Sequence, residues 1–336
     1  MLKKPADRTP EPKPERGAGK ERRPKVGGRR TTAVLGLFTL VFLGIAVLRV
    51  LGVDGAPVLV AALTLTPYIA AAGLLLALVA FLLRRRALAA AVLVMALSMV
   101  VLLVPRYFSD AQPPADGERL RVMAADLNAG RTDPATVLRL AREQGVDVLT
   151  LPELTQEALE ALDTAGLAEV MPYRAVDPRP GGNGSGIVAR LPLRQTVPVD
   201  PVIRAQVAAV VDLPGRDDVE VLAAHVVSVA DGDAALWRAE LARLPAPQGD
   251  RVRVLAGDFA ATFDHASFRR ILDPGYADAA EQTGEGLTPT WMSWPFGPPA
   301  TMDHILVDAR CAVASYAVFD LPGGDHRALL AEIVLP

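Results

Sequence analysis

Residues 252–260 read VRVLAGDFA, a run of β-branched and aliphatic side chains that stops at Gly257, Asp258 and Phe259. A short apolar run closed by a glycine turn reads as a buried strand, and the aspartate then falls on the rim where that strand ends. Three more runs stop on a polar residue: RVMAADLN (121–128) on Asn128, VDVLTLPE (146–153) on Glu153 and VEVLAAH (219–225) on His225. Two others begin on such residues, MDHILV (302–307) at Asp303 and His304, and GGDHRALLAEIVL (323–335) at Asp325 and His326. Carboxylates, an amide and imidazoles at strand ends can converge on one rim of a sheet. A fold gathers a divalent metal and a phosphate from distant parts of a chain in this way.

Helices are predicted between the strands. Thr132-Asp133-Pro134 sets an aspartate at the N-cap and a proline at the first helical position. TQEALEALDTAG (155–166) is a helix closed by Gly166, DAALWRAELARL (233–244) has apolar residues at helical spacing, and DHASFRRIL (264–272) is a helix capped by Asp264. QVAAVVDL (206–213) and DVEVLAAHVVSV (218–229) read as a hairpin pair, and GGNGSG (181–186) as a turn into a strand. About ten strands with helices between them predict an α/β fold, two sheets packed face to face with helices outside. Cys311, the lone cysteine, excludes an intrachain disulfide and reads as a buried strand position.

The overall charge of −3 hides a split. Residues 1–30 carry 11 Lys+Arg against 4 Asp+Glu, a net of +7, and hold all five lysines. Residues 109–336 carry 19 Arg and no Lys against 33 Asp+Glu, a net of −14. An acidic domain is a poor electrostatic funnel for nucleic acid, whose affinity rests largely on phosphate neutralisation. The first 30 residues, rich in Pro, Lys, Arg and Gly, cannot bury enough surface to offset ordering and are predicted to be disordered.

From residue 31 to 104 the composition inverts. Three apolar stretches, Ala33–Leu51, Pro57–Leu83 and Ala87–Val104, approach or exceed the roughly 20 residues that cross a bilayer as a helix. The basic region ahead of the first is too long for a signal peptide. Pro67 lies inside the second stretch, and Arg49 near the end of the first can extend its stem to the interface. The basic tail and Arg84-Arg85-Arg86 predict a cytoplasmic N-terminus, a multi-pass protein of the cell membrane and an extracytoplasmic C-terminal domain. Residues 105–118 are predicted to be a linker, reaching about 45 Å when extended. The domains are thus 1–30, 31–104, 105–118 and 119–336.

The series Asn128, Glu153, His225, Gly257-Asp258-Phe259, Asp303-His304 and Asp325-His326 resembles the endonuclease/exonuclease/phosphatase superfamily, which is DNase I-like. The resemblance implies a two-sheet α/β sandwich over 119–336 and Mg²⁺ or Mn²⁺ on Glu153, with Asn128 and Asp325 close to the metal. It implies that Asp258 sits beside an attacking water. Asp303 orients His326 against the phosphate, and His225 contacts a phosphate oxygen or the leaving group. Arg190 and Arg327 are further candidates for phosphate, His304 for packing and His265 for the surface. The superfamily usually carries asparagine after Gly-Asp-Phe, where this chain has Ala260, and Thr262 is a candidate substitute.

The leading expectation is a membrane-anchored phosphoesterase acting on phosphodiesters or phosphomonoesters. Its partners would be membrane lipids and a phosphate ester, whether nucleic acid, phospholipid headgroup or small ester; no protein partner is evident. The alternative is a catalytically weakened anchored domain that binds a phosphorylated or lipid ligand. A transporter finds no support, because the apolar stretches lack ionisable residues along their length.

Overall fold

The alternation of apolar runs and capped helices folds into two six-stranded sheets. A computed structural model describes residues 28–196, 204–214, 218–230, 233–247, 249, 251–292 and 297–336. Most of the tail expected to be disordered lies outside the described residues. The chain begins with helices α1 (Arg29–Val50), α2 (Pro57–Thr64), α3 (Thr66–Leu82) and α4 (Arg86–Leu103). There follow β1 (Arg119–Ala124), α5 (Pro134–Glu143), β2 (Val148–Thr150), α6 (Gln156–Thr164), α7 (Leu167–Val170), β3 (Tyr173–Asp177), β4 (Ser185–Ala189) and β5 (Leu193–Thr196). The second half adds β6 (Val207–Val211), β7 (Val219–His225), α8 (Ala234–Arg243), β8 (Arg253–Asp258), α9 (Ala266–Leu272), β9 (Tyr276–Asp278) and α10 (Ala279–Thr283). It closes with β10 (Asp303–Asp308), β11 (Ala312–Phe319) and β12 (Ala328–Val334).

One sheet runs β11-β12-β1-β2-β4-β3 and the other β5-β6-β7-β8-β10-β9. Among the described residues only β1/β2 and β7/β8 pair in parallel. Val122, Val221, Val254, Ile305 and Ile333 meet in the core between the sheets. The register across β7, β8 and β10 sets Asp258 opposite both His225 and Asp303. Gly257 makes that alignment possible: its φ is +144°, and a Cβ there would collide with the Ala224 carbonyl on β7.

Among the described residues two helices, Thr31–Val50 and Arg86–Tyr107, are long and apolar enough to cross a membrane. The second predicted span is not one helix. It divides into α2 and α3, which are bent by 76°. Pro67 has no N–H to give the Leu63 carbonyl, and the Thr66 hydroxyl donates to that oxygen instead at 2.6 Å, fixing the break. α2 turns onto the C-terminal domain, where Val60 joins the cluster containing Trp237, Phe259 and Phe268. α3 packs closely on its neighbours at Gly73, where a Cβ would lie 2.5 Å from the Phe42 ring.

Three further expectations change. Arg49 does not extend to the interface alone: its Nε donates to Asp264 at 2.7 Å in a buried pair. Asp264 also accepts from Arg106, at 3.0 and 3.1 Å, so it does not cap α9, whose N-cap is His265. Residues 105–118 are no free tether, since Arg106 is buried and Gln112 accepts from Val313 N and donates to Gln282 O. Burial pushes the Asp264 carboxyl up, but the Arg106 and Arg49 guanidinium groups outweigh it and hold it below the usual range. Asp264→Ala leaves two buried cations without their carboxylate and should cost about 3–5 kcal/mol. Thermal unfolding of the full chain in detergent measures this; an unchanged midpoint would mean the anchor and the domain are not coupled there.

Candidate active site

Asp258 ends β8, Asp303 begins β10 beside it, and His326 lies just ahead of β12 in the other sheet. His326 Nδ1 stands 2.9 and 3.0 Å from the two Asp303 carboxylate oxygens, so Nδ1 carries a proton and donates it. Ligand atoms of Asp258, Asp303 and His326 all lie within 4.8 Å of one another. The Thr290 hydroxyl accepts from the Met302 and Asp303 amides, which anchors the start of β10. Trp291 forms a backbone bridge with His326, closing the rim between the sheets.

Three site residues sit at positive φ: Asn128 at 46°, Glu153 at 57° and Ala260 at 48°. Side chains other than glycine avoid this region, and such strain clusters where a fold aims functional groups. Glu153 follows Pro152 and packs against Gly182, whose added Cβ would fall 2.9 Å from Glu153 Oε2. The glycine-rich segment 181–186 therefore makes room for the candidate ligand.

The electrostatics are those of crowded acids. Burial lifts Asp126 to about 7, helped by Asp258 and Asp303 and opposed by His326. Burial likewise lifts Glu153 to about 7, with Asp126 and Asp325 adding to it and Arg204 and His326 opposing. Asp258 is raised to about 6, chiefly by burial and by Asp303 against the pull of His326. Burial works against a charged His326, but Asp303, Asp126 and Asp258 together hold its pKa well above the ordinary value. His225 is the opposite case. Burial and the Arg204 charge push it well down, and its Nε2 is 2.5 Å from Arg204 Nη1, so that nitrogen accepts and the ring is neutral.

The expected residues do not all converge. Asp258, Asp303 and His326 come together, with Glu153 near His225 and Arg204, at 4.0 and 3.8 Å from Oε1. Asn128 turns aside: its Nδ2 donates to Gly323 O at 3.2 Å and its Oδ1 accepts from Arg131 Nε at 3.0 Å. Asp126 stands closer to the acids. Its Oδ1 accepts from the Asn128 amide at 2.7 Å, and its buried Oδ2 has no hydrogen-bond partner. Arg190 pairs with Asp147 at 3.8 Å, away from the rim, and Arg327 with Asp320 at 2.7 Å. Thr262 serves its own loop, accepting from Asp264 N. His304 packs as expected, between Asp278 and Ala261 O, but His265 is fully buried, with Nε2 on Val60 O.

Asp126 and Arg204 were not picked out from the sequence. The signal for Asp126 was in view, because a strand that leaves its sheet at Ala124 brings residue 126, not 128, to the rim. Arg204 follows no apolar run.

A divalent cation fits these residues. The Asp126 and Asp325 carboxylates both raise the pKa of Glu153, and Asp126 offers an unpartnered buried oxygen, the donor type a hard cation selects. Among the described residues, the acidic group with ligand atoms within 4.8 Å of one another is Asp258, Asp303 and His326, but Asp303 already spends both oxygens on a cationic His326. The first set is therefore the better metal candidate.

Comparison with known proteins places this geometry. The sequence profile of the Endonuclease/Exonuclease/phosphatase family matches residues 123–326, more than half of the chain, and the protein belongs to that family. Solved structures share its fold. D. rerio TDP2, complexed with single strand DNA product, is 18% identical with a TM-score of 0.52, over 64% of this chain and 99% of that one. TDP2 from C. elegans is 15% identical with a TM-score of 0.51, over 66% and 76%. A family protein from Leptotrichia buccalis is 14% identical with a TM-score of 0.50, over 64% and 99%. No curated protein matches the chain.

Ala260 gives a direct test of the site. Asparagine tolerates its φ of +48° better than alanine does, and the Trp237 Nε1–H that donates to the Ala260 carbonyl would be undisturbed. Ala260→Asn should raise phosphodiester turnover on the order of 30-fold, about 2 kcal/mol of added transition-state stabilisation. A fall in turnover would mean the pocket is built around alanine.

Proposed function

We propose that this chain is a membrane-anchored, divalent-metal-dependent phosphoesterase whose catalytic domain lies outside the cytoplasm. The observation that carries the reading is the group Asp258–Asp303–His326, with ligand atoms within 4.8 Å of one another, facing the acids Asp126 and Glu153. Mg²⁺ or Mn²⁺, held by Glu153, Asp126 and Asp325, would supply positive charge to the phosphate.

The rest of the chemistry belongs to side chains. Asp258, with a raised pKa, takes the proton of the attacking water as a general base. His326, kept cationic by Asp303, donates from Nε2 to a phosphoryl or leaving oxygen. Neutral His225 is a poor proton donor. It accepts from Arg204 and so orients a guanidinium beside Glu153, giving the phosphate a cation with planar donors. Asn128 fixes the loop at Gly323, just before Asp325 and His326. The alternative, a ligand-binding relic, is favoured by Ala260, and a lack of turnover on any phosphate ester would select it.

Glu153→Gln keeps the shape and removes one charge. It should lower turnover by at least on the order of 100-fold and weaken the Mg²⁺ dependence of both activity and thermal stability; unchanged behaviour in both would make Glu153 a bystander.

The proposed topology takes three crossings, α1, α3 and α4, with α2 turned onto the C-terminal domain. Arg85 donates to the Thr32 hydroxyl at 2.7 Å, so Arg84–Arg86 lie at the start of α1, the end that follows the basic tail in the sequence. The positive-inside rule then sets that end in the cytoplasm. Ser109 is exposed and Cys311, the lone native cysteine, is buried, so Ser109→Cys makes a single reporter. An impermeant thiol reagent should label it in intact cells; labelling only after lysis would reverse the topology.

A further inference from the structure

The membrane helices do not meet the C-terminal domain at random. Asp264, which holds Arg49 and Arg106, follows the end of β8 at Asp258. Asp54, in the α1–α2 loop, accepts from both the backbone amide and the hydroxyl of Ser267. His265 donates to Val60 O of α2 at 2.9 Å. Near the start of α3, the Tyr68 hydroxyl donates to Pro299 O at 2.9 Å, and Pro299 leads into β10 at Asp303. The backbone after α10 closes on the end of α4, where Gly286 N donates to Arg106 O.

These contacts share one side of the sheet. β8 ends and β10 begins on the rim that carries Asp258 and Asp303, and β9, antiparallel to β10, ends toward the same rim. The ends of α1 and α4 and the start of α3, which mark one face of the bilayer on the topology above, therefore press on the catalytic rim. Asp303 lies four positions after Pro299, at most about 15 Å along the chain. From Asp264 to Asp258 the chain is only six residues long, and this stretch is buried.

We infer that the catalytic rim is held beside the bilayer surface and that its substrate is a phosphoester in a membrane-lipid headgroup. The inference rests on the phosphoesterase reading and adds to it the substrate class. A long duplex would have to enter between a lipid surface and a domain of net charge −14, whereas a headgroup is already at the height of the acids. Met292 is 42% exposed on this rim, its amide donating to Asp325 O at 2.7 Å, and offers an apolar side chain beside the site where a lipid surface would be. In the reaction, water adds to phosphorus, the phosphorus–oxygen bond to the leaving alcohol breaks, and that alcohol takes a proton. The products are the alcohol and a phosphate with one fewer ester bond.

The test uses the full chain in nanodiscs containing phosphatidylcholine, phosphatidylglycerol and phosphatidylinositol, with Mg²⁺. Each lipid is compared with its deacylated, water-soluble glycerophosphodiester and with bis(4-nitrophenyl) phosphate. Confinement to the membrane plane raises effective concentration, so at least one lipid should be cleaved with kcat/KM about 100-fold or more above its soluble counterpart. Cleavage of soluble diesters at least as fast as every lipid overturns the lipid inference and leaves the phosphoesterase reading standing. Cleavage of none of them overturns the phosphoesterase reading and this inference with it. A second measurement is independent of turnover. A fluorophore on Met292→Cys should be quenched strongly by nitroxide-headgroup lipid, while one on Ala309→Cys, an exposed position after β10 on the opposite rim, should not. Equal or reversed quenching overturns the orientation even if lipids are cleaved.

Discussion

The register of β8 between β7 and β10 is the constraint on which the rest of the molecule depends. Asp258 is the partner of both His225 and Asp303, so three strands deliver three chemical groups to one point without any loop having to place them. A slip of one residue would turn Asp258 to the other face of the sheet and separate it from its neighbours. Gly257 permits the close approach at the end of the strand, and the buried aliphatic residues beneath hold the two sheets together. The opposite sheet then needs only to present His326 and the acids Asp126 and Glu153 across the gap. Strained backbone at Glu153 and Ala260 persists because packing around it is fixed on both sides.

The N-terminal helices belong to the same architecture. Arg49 and Arg106 share Asp264 in a buried cluster, and the segment between Asp264 and Asp258 is short enough that movement of one end is felt at the other. The break at Pro67 serves this docking. A straight second helix would have carried Val60 away from the domain, whereas the bend seats it against Trp237 and Phe268. Proline, together with the Thr66 hydroxyl that takes up the freed carbonyl, thus decides where the apolar helix α3 ends and the docked helix α2 begins.

Much of this was legible in the sequence for a physical reason: strands that end on charged residues must put them on a rim. Glu153, Asp258, Asp303 and His326 were picked out in that way, as were the cap at Asp133 and the α/β alternation. Asp126 was hidden inside RVMAADLN because the run looks continuous to Asn128, and only the backbone reveals that the strand stops at Ala124. Arg204 had no strand to announce it. His265 and Arg49 looked like surface and interface residues because their partners, Val60 and Asp264, lie 205 and 215 positions away. Local pattern carries no information about contacts at that separation. Pro67 was visible as a proline, but not the direction in which the chain would turn.

That 215-residue separation also sets an order of events during synthesis. Arg49 emerges with the first membrane helix, while its carboxylate partner is not made until the chain is most of the way to its end. At about 5–20 residues per second the interval is roughly 10–40 s. Throughout it the guanidinium must stay in contact with water, since a buried cation without its counter-charge is costly. The last turn of that helix is then drawn under the folding domain only when residues 259–267 arrive. Closure of the candidate rim and docking of the N-terminal helices are therefore one late step, and a chain that stops before residue 264 leaves both unfinished.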